Sequence, residues 1–447
     1  MNSQHTASRI NRRSFLTAAA TVPIAFQVVQ RHVLGGAGQT PPSEKLNVAA
    51  VGVGGMGSGD IRSVQTENVV ALCDVDQRAL DRNAKDFPKA KLHRDFRKML
   101  ETQKEIDALM VATPDHNHAV VSITAMKLGK HVHCQKPLTH SVHEARLMGK
   151  VARDMKVATQ MGNQGQAGEG ARVLIETIRS GAIGAVREVH AGSSRTPPIS
   201  PRGVRRPTEQ PAVPPELDWN LWLGPAPERP YHPTYHPFAW RGWWDFGTGV
   251  LGDIGCHQLS AVFKALKLGH PAWVEASSSN HQCPPEIADE TAPLSSITRW
   301  FFPAEGERAA MTMTWWDGGL KPQRPEELDP NSSFAEEDWL YIVGDRGKMY
   351  GHKILPEARA QEVGPPPRLL PRSPGHYVEW VQACKGGPPA GSNFIDHAAH
   401  LAEVVLLGNI ALRVKVRLLW DGPNLRFTNY EEANQRIQPA YRAGWSV

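Results

Sequence analysis

The sequence predicts an α/β protein, with a parallel-sheet domain first and a second, multi-stranded sheet domain after it. Three observations predict this. Short apolar runs alternate with helical segments between 46 and 162, a glycine triplet follows the first run, and strand-like runs recur between 186 and 350. Such alternation suits a doubly wound sheet with right-handed crossovers. The 447 residues suffice for about two or three domains, and 40% hydrophobic with 21% charged residues excludes a disordered or fibrous chain. A net charge of +5 without a block of like charges makes no nucleic-acid footprint. The five cysteines (Cys73, Cys134, Cys256, Cys283 and Cys384) lack C-x-x-C spacing and read as buried free thiols.

Taken in order, the first element is an address. Arg12 and Arg13 precede Phe15 and Leu16 and an apolar run to Val29, and small residues follow at 35–37. Residues 1–37 therefore read as an export leader resembling those of the twin-arginine route, with 38–44 as linker and a periplasmic or extracytoplasmic destination. The run is about 14 residues where crossing takes about 20, so no permanent membrane span is expected, and no Cys precedes Cys73 to carry a lipid anchor. Arg9, Arg12, Arg13 and Arg31 stand in this leader with no acidic residue, so most of the +5 belongs to it.

The second element is G-x-G-x-x-G at Gly52, Gly54 and Gly57, directly after a strand-like run from 46. The three glycines serve a tight turn, close approach of the backbone to a pyrophosphate, and close helix–strand packing, while Gly55 and Met56 complete the loop. A second run, 69–73, ends in Asp74, 22 residues beyond Gly52, at the distance of a ribose-binding carboxylate. This predicts a dinucleotide-binding Rossmann domain over 45–160. Asp74 favours NAD because its charge repels a 2′-phosphate; Arg78 close by leaves NADP open. Further strands are expected at 108–113, 131–135 and 157–162, with helices at 117–128 and 141–155. The loop carrying Thr113, Pro114 and His118 leaves a strand's C-terminal end and should line the nicotinamide side. His116 and His118 have no thiolate or carboxylate cluster at metal spacing, so no metal site is expected.

Two further motifs carry chemistry. Lys136, between Gln135 and Pro137, leaves a strand toward the cofactor, where an amine can hydrogen-bond a substrate hydroxyl. Asp253 and His257 stand at i and i+4, on one face of a helix starting near Gly252. There the carboxylate can orient the imidazole, leaving its other nitrogen to take a hydroxyl proton. An N-cap Asp beside a packed His is the competing reading.

The glycine loop with Asp74, the 112–116 loop, Lys136-Pro137 and the Asp253/His257 pair, in that order, resemble the glucose–fructose oxidoreductase/inositol dehydrogenase (Gfo/Idh/MocA) family over roughly 45–440. The resemblance implies an α/β domain at 161–447 on a large, mostly antiparallel open sheet, whose open face carries substrate and often a subunit interface, hence a homo-oligomer. It implies Lys136, Asp253 and His257 as the catalytic set, with His257 the proton acceptor. One position departs: the family's usual Glu before Lys-Pro is here Gln135, which leaves Lys136 without an adjacent carboxylate or leaves Gln135 to position the ribose.

In the second half, residues 196–237 hold 12 of the 36 prolines and read as a covering loop or arm, part of an insertion over about 196–244. Trp219, Trp222, Trp240, Trp243 and Trp244 suit sugar rings or a core equally. Asn163, Trp240, Trp243 and Trp244 are the candidate substrate contacts. Strands are expected at 186–193, 272–279, 296–302, 309–316 and 339–350, and a helix at 396–412. The expected function is an exported NAD(P)-dependent oxidoreductase acting on a hydroxyl of a sugar, sugar derivative or cyclitol, with tightly bound, internally recycled cofactor. The alternatives are an NAD-dependent glycoside hydrolase or lyase working through a transient keto-sugar, and a non-catalytic cofactor-bearing binding protein.

Overall fold

The computed structural model describes residues 44–195 and 201–447. The expected leader, all of the expected linker except Glu44, and residues 196–200 of the proline-rich insertion lie outside the described residues.

Strands β1 (Asn47–Val51), β2 (Asn68–Cys73), β3 (Lys91–His93), β4 (Ala108–Val111), β5 (His131–Cys134) and β6 (Thr159–Met161) form a sheet in the order 3-2-1-4-5-6. Every pairing in it is parallel. These strands read as unbroken apolar runs because both faces are covered. Val48, Ala50, Leu72 and Met110 pack on one face with Ile61 and Leu80, while Ala49, Val51, Leu109 and Val111 pack on the other with Val120 and Met126. Helices α1 (Gly55–Arg62), α2 (Gln77–Ala84), α3 (Phe96–Thr102), α4 (Asp115–Lys127) and α5 (Val142–Met155) make the crossovers. Asp76 and Asp95 cap α2 and α3, and Ser141 with Glu144 forms a reciprocal capping box on α5. Strand order reverses between β1 and β4, which opens a crevice at the strands' C-terminal ends.

After α6 (Glu169–Arg179) the chain builds a second sheet from β7 (Val186–Ser193), β8 (Trp273–Ser278), β9 (Ser296–Phe302), β10 (Met311–Asp317) and β11 (Asp338–Gly344). β12 (Lys348–Tyr350), β13 (Lys353–Leu355), β14 (Leu418–Asp421) and β15 (Arg426–Phe427) extend it at its two edges. The order is 13-12-11-7-10-9-8-14-15, and only β7 with β10 is parallel. The expected continuous run at 339–350 is instead a hairpin, because Asp345-Arg346-Gly347 supplies turn residues and Val343 pairs with Lys348.

Helix α7 (Trp219–Leu223) lies in the proline-rich insertion, and the long helix α8 (Gly249–Leu266) follows it. Helix α9 (His376–Cys384) returns to the first sheet, where Trp380 is fully buried beside Val48 and Leu72, so 161–447 is not wholly a separate substrate domain. Helix α10 (Ala399–Leu412) packs against α5, α8 and β8. With the turn before it, from Phe394, this is among the described residues the one helical stretch long and apolar enough to cross a membrane, and it is largely buried inside the fold. All five cysteines are free; Cys73, Cys134 and Cys256 are buried, but Cys283 and Cys384 are only half-buried, which corrects the uniform expectation.

Candidate active site

The crevice above β1 and β4 opens into a cavity of about 950 Å³ lined by Gly52, Gly54, Gly55, Met56, Asp74 and Thr113 on one side. Pro114, Gln135, Lys136, Trp240, Asp253 and His257 line it further along. The first strand–helix turn is shaped by its glycines. Gly52 has φ +81°, and a Cβ there would stand 2.6 Å from the Ala112 carbonyl oxygen; a Cβ on Gly57 would stand 1.8 Å from the Gly52 carbonyl oxygen. Gly57 thus sets helix–strand packing and does not line the cavity. Helix α1 has no side-chain cap and no acidic residue in its first turn, so its leading N–H groups and positive end face the cavity. Thr113 adds a buried hydroxyl without a hydrogen-bond partner on the same wall. An anionic dinucleotide fits these donors.

Asp74 is held for that role. Its Oδ2 accepts from the backbone N–H of Val53 at 2.8 Å and of Gly54 at 3.2 Å, and its Oδ1 accepts from Asp76 N–H at 2.9 Å. Burial raises its carboxyl above the ordinary value, and those N–H bonds oppose the rise. Arg78, the residue that left NADP open, is tied to the Asp76 carboxylate at 2.7 Å, while His236 contacts the same carboxylate at 3.1 Å. Arg78 is therefore paired within the loop and does not line the cavity.

At the other end, three catalytic candidates from distant segments meet. Lys136 leaves β5, while Asp253 and His257 lie one turn apart on α8 and face the same cavity. The expected Asp253–His257 hydrogen bond is not formed. Asp253 Oδ1 instead accepts from Lys136 Nζ at 2.5 Å and lies 3.6 Å from Arg241 Nε. Burial raises the Asp253 carboxyl, but the Lys136 and Arg241 charges outweigh it and hold it below the usual value. The carboxylate that Gln135 does not provide thus reaches Lys136 from α8. Among the described residues His257 has no hydrogen-bond partner, so both ring nitrogens are open to a ligand. Burial first, and the Lys136 charge second, push its imidazole down to about 4, so it is neutral at physiological pH.

Gln135 has its own partner. Its Nε2 donates to Asp60 Oδ2 at 2.8 Å, and the Tyr377 hydroxyl donates to Asp60 Oδ1 at 2.6 Å. Asp60 is buried on α1, and burial raises its carboxyl. A Glu at 135 would set two carboxylates side by side, so Gln135 and Asp60 form a matched pair. Gln135→Glu is expected to cost about 1–3 kcal/mol at neutral pH. The shared proton raises the pair's pKa in the fold, so the loss shrinks as pH falls. Thermal unfolding across pH checks this, and a pH-independent loss would contradict it.

Several expected contacts lie elsewhere. His118 is buried away from the cavity, its ring nitrogens 2.8 Å from the Pro137 and Thr113 carbonyl oxygens, so it ties two cavity loops together and does not meet the cofactor. Asn163 is buried and donates to Ser260 Oγ at 3.0 Å. Trp243 is buried in the aromatic core of the insertion, and Trp244 donates to the Ala288 carbonyl oxygen at 3.2 Å. Of the three tryptophans expected to touch substrate only Trp240 lines the cavity; Trp222 also borders it, and most of that aromatic density builds a core with Tyr235 and Phe246.

Sequence reading missed Arg241, Arg195 and Asp338. Arg241 lies over the Phe238 and Trp240 rings at 4.3 Å each, and Arg195 pairs with Asp338 at 2.7 Å across β7 and β11. Arg241 stood in plain view within the aromatic stretch, whereas nothing in the chain signals that 195 meets 338. One further cluster outside the cavity, His270, His400 and Glu403, has metal-ligand geometry. Its carboxylate already accepts both bonds of the Arg146 guanidinium, at 2.8 Å each, which occupies the donor set a cation would need.

A parallel nucleotide-binding sheet with an uncapped glycine turn, joined to a site of lysine, carboxylate and neutral imidazole, defines a two-domain protein with a candidate NAD site. Residues 46–163 match the NAD-binding Rossmann fold of the GFO_IDH_MocA oxidoreductase family, and residues 203–288 match that family's C-terminal alpha/beta domain. A segment of each domain thus matches a model of one family, the Gfo/Idh/MocA oxidoreductases that the motifs resemble. An inositol 2-dehydrogenase from Salmonella paratyphi B is 29% identical over 154 residues, covering 32% of this chain and 45% of that protein. A glycosyl hydrolase family 109 protein from Shewanella pealeana is 26% identical over 156 residues, covering 32% and 34%. The chain therefore spans less than half the length of these curated relatives. The WlbA dehydrogenase from Bordetella pertussis, solved with NADH and UDP-GlcNAcA, superposes with a TM-score of 0.59 at 16% identity, covering 84% of this chain and 99% of that one. That likeness shows the shared fold.

Proposed function

We propose that this protein is an exported oxidoreductase that removes the elements of hydrogen from a hydroxyl-bearing carbon of a sugar, sugar derivative or cyclitol. The observation that carries the reading is a neutral, unpartnered His257 in one cavity with a Lys136–Asp253 pair, at the far end from a dinucleotide cradle. Bound NAD supplies the hydride acceptor. His257 takes the hydroxyl proton, and Lys136, fixed by Asp253, donates a hydrogen bond to the same oxygen as it becomes a carbonyl. Arg241 and Trp240 wall the substrate end and restrict the approach of water. Gly52, Gly54, the α1 N-terminus, Asp74 and Thr113 would hold the cofactor.

Outside the cytoplasm no soluble NAD pool is at hand, so the cofactor is carried out bound and returned to its starting state each turnover. A second substrate does this in one reading. In the other, the same substrate recovers the hydride after cleavage through a transient ketone, a reading supported by the likeness to a glycosyl hydrolase family 109 protein. Product balance with no added NAD separates them: a stoichiometric keto product supports the first, and cleaved glycoside without net oxidation the second. For export, Arg12→Lys with Arg13→Lys is expected to hold the protein in the cytoplasm, as fractionation reads; undiminished appearance outside contradicts the leader. The second sheet's open face, where Trp273 stacks on Phe301 at 5.6 Å, is the surface through which we propose a homo-oligomer.

A further inference from the structure

Past Asp74, away from Lys136 and His257, the cavity continues into a part walled by Cys73, Val75, Phe96, Val121 and Trp445. These side chains are apolar, and the neighbouring Asp76, Arg94 and Asp95 line the same cavity. In a doubly wound sheet the carboxylate at the end of β2 meets the adenosine ribose, so the base belongs in this part. Four of the walls come from the nucleotide-binding domain itself. Trp445 arrives from more than 300 residues further along the chain.

The segment that brings Trp445 is fastened at several points before it arrives. Ile437 is buried and its carbonyl oxygen accepts from His143 N–H at 3.1 Å; the Tyr441 hydroxyl donates to Glu144. Arg442 N–H donates to the Pro225 carbonyl oxygen at 2.9 Å, and its guanidinium reaches Asn220 Oδ1 at 2.8 Å and the Gly224 carbonyl oxygen at 3.1 Å. The segment is thus tied both to α5 and to the proline-rich insertion. Beyond these ties the Arg97 guanidinium lies 4.7 Å from the centre of the Trp445 ring, and the Phe96 ring is 6.3 Å away at 35°. The indole is flanked by a cation and an aromatic ring, and it borders the cavity. None of the ties uses a group that a dinucleotide needs.

We propose that Trp445 clamps the adenine of NAD, so that the 437–447 segment governs how long the cofactor stays. A flat indole beside a purine supplies stacking that is sensitive to the base and indifferent to the nicotinamide. The assignment rests on the NAD cradle and holds whichever reaction follows at the other end. It also gives this chain a device for retaining a cofactor that cannot be replenished in place.

The experiment measures, on the full chain, the exchange of bound NAD for labelled NAD and the binding of AMP and of nicotinamide mononucleotide by calorimetry. Trp445→Ala is expected to speed NAD exchange and weaken AMP by roughly ten- to a hundredfold, to leave nicotinamide mononucleotide within about twofold, and to be largely rescued by Trp445→Phe. Unchanged AMP affinity in a Trp445→Ala protein of normal circular dichroism overturns the proposal, and so does an equal loss for both mononucleotides. Should that variant fail to fold, Arg442→Ala, which frees the segment and keeps the indole, is expected to weaken AMP selectively; no such weakening overturns the proposal as well.

Discussion

His257→Ala is expected to lower the turnover of any sugar or cyclitol substrate by roughly 10²–10⁴-fold while leaving bound NAD in place. The imidazole lies on α8, while the glycine turn and Asp74 that would hold the dinucleotide belong to the first domain. What the substitution removes is the cavity imidazole that lies beside the Lys136–Asp253 pair with neither ring nitrogen partnered and that is neutral at physiological pH. A base works when deprotonated, so activity falls as pH drops through its pKa. With the imidazole pushed down to about 4, the acid limb of kcat/KM is expected near 4, well below an ordinary histidine's 6.5. A limb at the ordinary position would show that His257 is solvated in the working protein. Steady-state rates across pH, with bound NAD quantified in the same samples, read both outcomes.

Gly57→Ala is expected to abolish NAD binding and, with it, much of the fold's stability. Its new Cβ would stand 1.8 Å from the Gly52 carbonyl oxygen and 3.0 Å from the Ala112 Cβ, so β1, the turn and α1 would have to separate. Overpacking by one carbon commonly costs 1–3 kcal/mol, and here the neighbour is backbone that cannot step aside. Gly59→Ala, two residues on in the same helix, meets nothing within 4 Å and is expected to be neutral or to add about 0.4–1 kcal/mol. The contrast separates packing from any general intolerance of side chains in α1. Thermal unfolding and NAD titration of both variants decide it; a Gly57→Ala protein with normal NAD affinity would contradict the packing assigned to this turn.

The parallel sheet was legible because its signals are local. An apolar run, three glycines and an acidic residue after the next run each declare themselves within about 25 residues. The meeting of Lys136 with the α8 pair was legible only by resemblance, since those segments are 117 residues apart. Polar networks were the part that sequence concealed. Asp253 was expected to serve His257 at helical spacing, yet the half-buried Lys136 amine is the partner that took the carboxylate. Gln135 looked like a loss until Asp60, one turn after Gly57, showed the carboxylate it faces. Tryptophan density misled in the other direction: Trp243 and Trp244 fill core, and an indole that reaches the cavity from the C-terminal segment, Trp445, stands alone in sequence. His118 and Asn163 occupied suitable positions along the chain, but their side chains point into the protein, which spacing cannot show.

In the proposed reaction a neutral His257, beside the Lys136–Asp253 pair, draws a hydroxyl proton so that bound NAD is reduced. It is tested most directly by rapidly mixing the purified protein, carrying its own NAD, with a panel of sugars and cyclitols and following nicotinamide absorbance through one turnover. Reduced nicotinamide is expected to form in the natural protein with at least one member of the panel, and His257→Ala, with its NAD content unchanged, is expected to form it at least a hundredfold more slowly, on the order of the general-base contribution. Reduction at the same rate in both proteins would contradict it.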